Sequence, residues 1–474
     1  MSFRHLLRAE WTKLRSVSRW LLALAAAAVF TVAFSVLASS AGTTNFEGGV
    51  AVSPDGKPVA DEFHFVHKPL DGDGSLVARV AEQDNTHADA MAGIMVKNGA
   101  TRGASYASVA VTPGGDVRMM ADFRDVDART GTAPRWLRLD RSGTRVTTYD
   151  SADGSTWREI GRAELAGLPA TVEVGMFVTS PGELIVQRSA GSTGVGERPT
   201  SGRATFDDVR VDGAAGPAWA SDDLVRPGFG KDPASVSGST REAAGRFTVT
   251  GSGSIGLNEP PDDTVQIGLF GTLAGLLVLV PLGVVYITSE YRRGLIRTTF
   301  AAAPARAPVL AAKAVVLGGL TFAIGLAAAL VAFFVTQPIL RDHGFKPPMF
   351  PEQSLTEPRV LRAVIGAAVF LTLLTLLGLG AGAVMRRGAP AIAAVITLTL
   401  VPTFVGSVVP VAAARTLMLI TPAGGFAMQR AKPATEWLVE PWSMIGPWAG
   451  FAVLGTYAAV ALVAGGWLMR RRDA

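Results

Sequence analysis

Six apolar runs, each about as long as a membrane-spanning helix, punctuate the chain, and none has a charged residue near its centre. A helix rises about 1.5 Å per residue, so about 20 apolar residues cross the hydrocarbon core of a bilayer. A charge at the centre of such a helix would cost at least about 2.5 kcal/mol. The pattern therefore predicts six transmembrane helices. They cover residues 20–39, 265–288, 314–336, 364–385, 391–411 and 448–469.

Between the first two runs the periodicity changes from helical to strand-like. Residues 44–212 contain short alternating segments such as "SYASVAV" and "TVEVGMFV", separated by "DGDG", "TPGGD" and "RSGT". Alternation bounded by Gly, Asp and Pro is typical of antiparallel strands in a β-sandwich, with turns at the punctuation. Residues 213–263 are rich in Gly, Ser, Asp and Pro and predict a stalk with one short strand in "GRFTVTGSGSI".

Charge separates these two kinds of region. Residues 43–263 hold 22 basic and 31 acidic residues, a net charge of −9, whereas the rest of the chain carries +14. Basic residues that flank long apolar runs are not the pattern of a soluble nucleic-acid-binding protein, so no nucleic-acid partner is expected. The chain has no cysteine, which excludes disulfides and thiolate metal sites.

The positions of Lys and Arg predict the orientation. Basic clusters lie in residues 1–19 and directly after the second, fourth and sixth runs, and these places share one side if the runs alternate. The positive-inside rule makes that side the cytoplasm. The prediction is a multi-pass protein of the cytoplasmic membrane, with both termini and the tail 470–474 inside and residues about 40–264 outside. The loops near 337–360 and 412–447 are also predicted to lie outside. The alternative for the first run is a signal peptide cleaved near "ASSAG".

Residues 1–19 predict an amphipathic helix that lies in the bilayer interface. Five apolar residues recur at helical spacing on one face, and the basic residues lie elsewhere on the wheel. The alternative is a merely basic topology signal. The apolar residues are Phe3, Leu6, Leu7, Trp11 and Leu14.

The β-rich insert offers no clear catalytic set. A glycosidase needs two carboxylates that face one cleft. In "DFRDVDA", Asp125 and Asp127 would share one face of a strand while Asp122 points away, so we expect a solvated strand end or loop. His64 and His67 would point to opposite faces and are expected at the surface rather than on one metal.

Ligand binding by the insert is left open by two other residue pairs. Trp136 and Trp157 are candidates for stacking on a sugar, against ordinary packing in the sandwich. Asp71 and Asp73 in "DGDG" are candidates for calcium, against a tight turn. No catalytic, cofactor-binding or metal residue is assigned.

Two family resemblances extend this interpretation. The segments "AGIMVKNG", "WLRLDRSGTRVTTYDSADGSTWREIG", "VGMFVTS" and "ATFDDVRV" resemble the concanavalin A-like lectin/glucanase jelly roll. The segments "RAEWTKLRSVSRWLLAL", "EYRRGLIRTTFAAAPARAPVLAAKAVV" and "PWAGFAVLGTYAAVALVAGGWLMRRRDA" resemble bacterial ABC transporter permeases of the type-2 exporter class. The expected fold is a membrane α-helical bundle of six transmembrane helices with an inserted extracytoplasmic all-β jelly-roll sandwich.

The permease resemblance implies a coupling helix at about 289–304 that docks on an ATPase subunit. Carried over, the docking residues are Glu290, Tyr291, Arg292, Arg293, Gly294 and Arg297. The P-loop pattern G-x-x-x-x-G-K-[ST] is absent from the sequence. We therefore expect ATP and Mg²⁺ on the partner subunit, no enzymatic activity and no cofactor in this chain, and a homodimer or a paired permease in the bilayer.

The runner-up function is a membrane-anchored extracytoplasmic protein that binds or senses a carbohydrate or a peptide. One anchor would suffice for that role, so it leaves six apolar runs unexplained. Most ABC transporter permeases of the type-2 exporter class lack a jelly roll, so the resemblance to them does not predict the role of the β-rich insert. The transported substrate is not predicted.

Overall fold

The computed structural model describes most of the chain and separates it into two units. The helical unit comprises residues 1–44, 186–194 and 261–474, and the β unit comprises residues 45–185 and 195–260. The described residues are 2–42, 50–85, 87–130, 135–189, 192–216, 218–224, 237–258, 260, 262–292, 306–434 and 440–471.

Long apolar helices form most of the helical unit. Six helices of the described part, α2, α4, α5, α6, α7 and α9 as bounded below, are long and apolar enough to cross a membrane, and they match the six predicted runs. Two 3₁₀ helices cover Pro422–Gln429 and Pro441–Met444. The α-helices are α1 Phe3–Ser16, α2 Ser18–Ala41, α3 Thr264–Leu269, α4 Thr272–Arg292, α5 Arg306–Asp342, α6 Pro358–Met385, α7 Gly388–Gly406, α8 Val411–Ile420 and α9 Pro447–Arg471.

Helix α6 is the centre of the helical unit and packs against α4, α5 and α9. Small residues permit this close packing. A Cβ on Gly283 of α4 would overlap the backbone oxygen of Thr375 on α6, and a Cβ on Gly380 of α6 would lie 2.6 Å from the carbonyl carbon of Ala461 on α9. Small residues in the second, fourth and sixth apolar runs therefore allow the helix backbones to come into close contact.

The helical unit differs from the prediction at two breaks. The second run divides into α3 and α4, and Asp263 caps α3 by accepting hydrogen bonds from the N–H groups of Val265 and Gln266, both at 3.1 Å. In the region predicted as an outer loop, 412–447, α8 and the following 3₁₀ helix bend by 99°, which is the geometry of a broken span or a re-entrant loop. Hydrophobicity alone does not reveal such a bend, because both arms are apolar.

The strands of the described residues pair antiparallel. The main sheet runs in the order β10-β9-β8-β3-β11-β4-β5-β6-β7, with β14 to β17 joined to it, and β1, β2 and β18 form a small sheet. The strands are β1 Ala51–Val52, β2 Pro58–Asp61, β3 Phe63–Asn85, β4 Met91–Lys97, β5 Tyr106–Val111, β6 Val117–Ala121, β7 Arg124–Arg129, β8 Arg135–Ser142, β9 Arg145–Ser151, β10 Arg158–Glu164, β11 Thr171–Thr179, β12 Glu183–Ser189, β13 Ser192–Arg198, β14 Gly202–Ala215, β15 Ala220–Leu224, β16 Ser239–Ala243, β17 Arg246–Gly251 and β18 Ile255–Leu257.

The long strand β3 changes partners along its length. Its first part pairs with β11 and β15, and its second part pairs with β8 and β14. The "DGDG" sequence, for which a turn is predicted, lies inside this strand. Gly72 adopts a φ of 71°, and Gly74 approaches the backbone oxygen of Asp212 so closely that a Cβ would not fit. These glycines therefore bend a continuous strand instead of ending it.

Alternating side chains of these strands fill two cores in the β unit. Val66, Ile94 and Leu137 belong to one core. Phe65 and Phe177, directly opposite each other on β3 and β11, belong to the other. This alternation is the period-2 pattern that the sequence predicts.

Residues 213–263, for which a stalk is predicted, contain β15 to β18 and the end of β14. Strand β17 pairs with β14, so the predicted strand in "GRFTVTGSGSI" is present but belongs to the sheet. The β unit accordingly extends to Pro260 rather than ending at residue 212. Composition rich in Gly, Ser and Asp does not distinguish a linker from short strands with tight turns.

Candidate functional site

A buried group of charged side chains lies where α1, α4 and α5 meet. The Nζ atom of Lys313 on α5 lies 2.8 Å from Oε2 of Glu10 on α1 and 2.7 Å from Oε1 of Glu290 on α4. The side chain of Lys313 is 0% exposed, and those of Glu10 and Glu290 are 5% and 7% exposed. One ammonium group thus connects carboxylates from two segments that are far apart in the sequence.

Two further residues complete this group, which we call the ion cluster (Glu10, Lys13, Tyr286, Glu290 and Lys313). The Nζ atom of Lys13 lies 2.8 Å from Oε1 of Glu290 and 3.3 Å from Oε1 of Glu10. The hydroxyl of Tyr286 donates a hydrogen bond of 3.0 Å to Oε2 of Glu10. Two ammonium groups balance two carboxylates, so the cluster has no net charge when all four are ionised.

Helix periodicity places the α1 members of the cluster on one helix face and the α4 members on another. Glu10 and Lys13 are separated by three positions on α1, and Tyr286 and Glu290 by four positions on α4, so each pair shares a helix face. Lys313 stands near the start of α5 and projects its ammonium between the two pairs. Its position between two carboxylates depends on the packing of the three helices.

The partners in the cluster shift the pKa values of the α1 groups toward their charged forms. Burial alone would raise the pKa of Glu10, but the ammonium groups of Lys313 and Lys13 bring that pKa below its ordinary value. Burial alone would lower the pKa of Lys13, but its contacts with Glu290 and Glu10 bring that pKa above its ordinary value.

The apolar face predicted for α1 divides between protein and surroundings. Leu6 and Leu14 are buried, and Leu6 packs with Val309 and Ala312 of α5. Phe3 and Trp11 are 43% and 48% exposed. Part of the predicted stripe therefore holds α1 against the helical unit, beside the ion cluster, and only the rest is available to a lipid interface.

The predicted docking residues fall in three places. Glu290 is a member of the ion cluster. Tyr291 is half-buried, and the guanidinium carbon of Arg386 lies 5.1 Å from the centre of its ring. Arg292 ends α4, and its side chain, together with Arg293, Gly294 and Arg297, lies outside the described residues.

Sequence reasoning missed the link between Glu10 and Lys313. The available signal was the acidic residue in each of the segments "EWTKLRS" and "EYRRG", because an acidic residue in a basic stretch needs a nearby partner when it is buried. That signal does not identify the partner.

The predicted sugar-stacking residues have partners within the β unit. A Cβ on Gly154 would lie 2.8 Å from Cε2 of Trp136, so the turn backbone covers that indole. The guanidinium of Arg138 lies over the rings of Tyr149 and Trp157, at 5.7 and 5.9 Å from their centres. Trp157 therefore contributes to a cation–π group, and Trp136 supports a hairpin turn.

The two histidines do point to opposite faces, but the prediction that they are surface residues is wrong. His64 and His67 are 5% and 6% exposed. His64 lies 2.5 Å from Asp223, and His67 lies 2.7 Å from Glu173 and 2.9 Å from Asp222. These carboxylates compensate the burial of each ring. Within the described residues no group of His, Asp and Glu is arranged to hold a metal ion.

The acidic residues considered for catalysis and calcium have structural partners or lie in the open. Asp122 accepts a hydrogen bond of 2.6 Å from the hydroxyl of Ser105 and is in the turn before β7, while Asp125 and Asp127 are exposed on β7. This matches the expected solvated strand end. In "DGDG", Asp71 and Asp73 accept hydrogen bonds from the Thr171 hydroxyl and the Gly143 N–H, respectively.

Comparison with known proteins does not assign a family. No family model matches the chain, and no curated protein matches it significantly. A protein of unknown function from Saccharomyces cerevisiae is 17% identical over 37% of this chain and 85% of its own, with a TM-score of 0.26.

Two further solved structures show similarly weak likeness. A mutant form of the GH43 protein BlXynB from Bacillus licheniformis is 15% identical over 22% of this chain and 24% of its own, with a TM-score of 0.20. Scytalido-glutamic peptidase is 9% identical over 40% of this chain and 98% of its own, with a TM-score of 0.25. At these values the similarities support no statement about activity.

Proposed function

We propose that this chain is the transmembrane permease subunit of an ATP-binding cassette exporter in a bacterial cytoplasmic membrane. A separate ATPase subunit would bind ATP and Mg²⁺ and drive translocation. The six long apolar helices and the resemblance of the segments around Glu10 and Glu290 to type-2 exporters support this proposal. The observation that carries it is the ion cluster.

The position of the ion cluster suits the transmission of force. Residues 293–305 separate α4 from α5, and they contain most of the coupling helix predicted at about 289–304. Glu290 near the end of α4 and Lys313 near the start of α5 are joined at 2.7 Å, so their ion pair closes the base of that segment. Glu10 extends the connection to α1. A push on the segment would therefore move three helices together.

Burial makes this connection stiff. Charged hydrogen bonds are stronger where water is excluded, and breaking one partner leaves a costly unpaired charge. Lys313 and both carboxylates are buried, whereas Lys13 is 43% exposed. The cluster is thus a fixed joint with one edge open to solvent. The helices attached to it would tilt between inward-open and outward-open packings when the ATPase closes.

Co-purification tests the proposal. The tagged full chain is purified from its native membranes, and a P-loop ATPase is sought in the eluate by mass spectrometry. We expect the ATPase to be present with the native chain and lost when Arg292→Glu and Arg293→Glu are combined. The matched control combines Arg470→Glu and Arg471→Glu at the end of α9, on the same predicted side, and should retain the ATPase. An ATPase that is absent from the native sample, or undiminished by the first pair, would contradict the proposal.

A second candidate function, binding of a carbohydrate or peptide by the β unit, is favoured by one groove. It has a volume of about 420 Å³ and combines apolar residues, such as Met120 and Phe123, with the guanidinium groups of Arg118 and Arg124. Phe123 has a φ of 67°, a conformation that a bulky residue adopts rarely and that is often found beside binding sites.

The second candidate function makes its own measurable claim. Glycan-array and peptide-array binding by the full chain in nanodiscs should identify a ligand, and Arg118→Ala should weaken that binding. Trp157→Ala is the control, because Trp157 does not line the groove. Equal loss in both variants, or no ligand on either array, would count against the groove.

A further inference from the structure

An apolar groove lies between α6 and α9 and ends at an arginine. Its volume is about 460 Å³, which is within the range of small-molecule sites. Leu361, Ile365, Val369 and Phe451 are among the residues that line it. Arg362 is the charged residue among the described residues of the lining.

The guanidinium of Arg362 forms no ion pair in the part of the chain that the structure describes, although the charge of Asp263 acts on it from a longer distance. Its Nη2 donates a hydrogen bond of 2.8 Å to the backbone oxygen of Arg430. Its Nη1 is buried and has no hydrogen-bond partner among the described residues. Arg359 lies three residues earlier on α6 and differs in this respect. Its side chain is 54% exposed and pairs with Glu357 at 2.9 Å.

Behind Arg362 lies a second arginine with the same deficit. Arg430 is 0% exposed, and its Nη2 donates to the backbone oxygen of Pro433 at 2.8 Å. Its Nε and Nη1 are buried without a hydrogen-bond partner in the described residues. The two arginines, which are in contact through the backbone oxygen of Arg430, thus have three guanidinium nitrogens without a hydrogen-bond partner among the described residues.

Neither of the two nearby carboxylates, Asp263 and Glu440, forms a direct ion pair with these arginines among the described residues. Both oxygens of Asp263 are occupied by backbone N–H groups: Oδ1 accepts from Val265 and Gln266, and Oδ2 accepts from Ala431 and Lys432 at 2.7 and 2.8 Å. Burial raises the pKa of Glu440, and the positive charge of Arg430 opposes that shift. Buried guanidinium nitrogens without a hydrogen-bond partner are unfavourable, so the arrangement favours a ligand with negatively charged oxygens.

We propose that this groove binds an anionic amphiphile, with a carboxylate or phosphate head on Arg362 and a hydrocarbon chain along Leu361, Ile365 and Val369. Arg430 is a positioning residue, since its backbone carbonyl accepts the hydrogen bond that holds Arg362. The inference rests on the proposed membrane function, because the groove then opens onto lipid, and it supplies a ligand class for the proposed permease.

Head-group selectivity is the first test and needs no variant. The purified full chain in detergent is titrated with fluorescently labelled lysophosphatidic acid and with an uncharged monoacylglycerol carrying the same chain and label. We expect the anionic probe to bind about tenfold more tightly, as for one charged hydrogen bond gained. Glycerol 3-phosphate, which has the head without the chain, should compete only weakly. Equal affinity for both labelled probes overturns the proposal, and so does competition by glycerol 3-phosphate that is as strong as competition by unlabelled lysophosphatidic acid.

Two substitutions separate the head from the chain. Arg362→Gln should remove the preference for the anionic probe and leave the uncharged probe unchanged, whereas Arg359→Gln should change neither. Ile365→Trp should weaken both probes by filling the groove. An Arg362→Gln protein that retains the full preference contradicts the assignment. These measurements use no ATPase, so their failure is distinguishable from failure of the co-purification experiment.

Discussion

Replacing Lys313 by Met removes the central cation of the ion cluster and keeps a side chain of similar length. The net charge of the cluster changes from zero to −1, and Glu10 and Glu290 remain buried with only the half-exposed Lys13 between them. Breaking a buried ion pair by removing one partner costs about 3–5 kcal/mol, and the remaining ammonium places Lys313→Met at the lower end of that range. We expect the Tm of the helical unit to fall by about 6–12 °C.

A compensating variant shows whether charge is the cause. Adding Glu290→Gln to Lys313→Met restores zero net charge, so the double variant should be more stable than the single one. The coupling energy between the two sites should be at least about 1 kcal/mol, because the two groups are in contact at 2.7 Å. Thermal unfolding of the detergent-purified chain, followed by circular dichroism at a helical wavelength, measures both quantities.

A control on the same helix isolates the effect of burial. Arg341, at the other end of α5, pairs with Glu352 at 3.1 Å, and both side chains are exposed. An exposed ion pair contributes about 0–1 kcal/mol, so Arg341→Met should leave the Tm nearly unchanged. A Lys313→Met protein as stable as Arg341→Met, or a double variant whose losses simply add, would refute the view that the cluster is a buried joint.

Three other predictions concern pH and packing. Because the pKa of Glu10 is below its ordinary value of 4.5 in the folded chain, its stabilising contribution is present above that pH and lost as the pH falls below it; the acid loss in Tm should be smaller in Glu10→Gln. Gly283→Leu should destabilise by about 1–3 kcal/mol and Gly319→Leu, which has open space, should not, as measured by thermal unfolding. Lys97→Met should destabilise the β unit by about 3–5 kcal/mol, since it leaves the fully buried Asp61 without its cation; an unchanged near-ultraviolet melting transition would contradict this.

The sequence predicted the candidate site only in part. The sequence placed Glu290 and Lys313 at opposite ends of a short segment between two apolar runs, and it placed Glu10 in a basic N-terminal helix. It suggested docking for Glu290, whereas the structure gives that carboxylate two ammonium partners, the buried Lys313 and the half-exposed Lys13. Ion pairs between distant segments depend on which helix faces meet, and hydrophobicity patterns do not specify this for nearly uniform apolar helices.

The contact between Arg362 and Arg430 beside the groove also could not be predicted from the sequence. Arg362 lies just before the fourth apolar run, and Arg430 lies in a region predicted as an outer loop. The bend of 99° between α8 and the 3₁₀ helix brings the chain back, and only then does the carbonyl of Arg430 reach Arg362. A sequence shows that a charge exists, but whether its partners are present is decided by the fold.

By itself the sequence determined the kinds of secondary structure. Long uncharged runs favour helices that place their apolar surface in the protein core or in the bilayer, and strict alternation favours strands with one apolar and one polar face. The tertiary structure decided the contacts that carry the proposals. It bent the chain within "DGDG" without ending β3, added the residues predicted as a stalk to the sheet, and brought Glu10 and Glu290 to the ammonium group of Lys313. The physical reason is range: periodicity is set by neighbours a few residues apart, whereas the compensation of a buried charge or a close backbone approach depends on segments that only packing brings together.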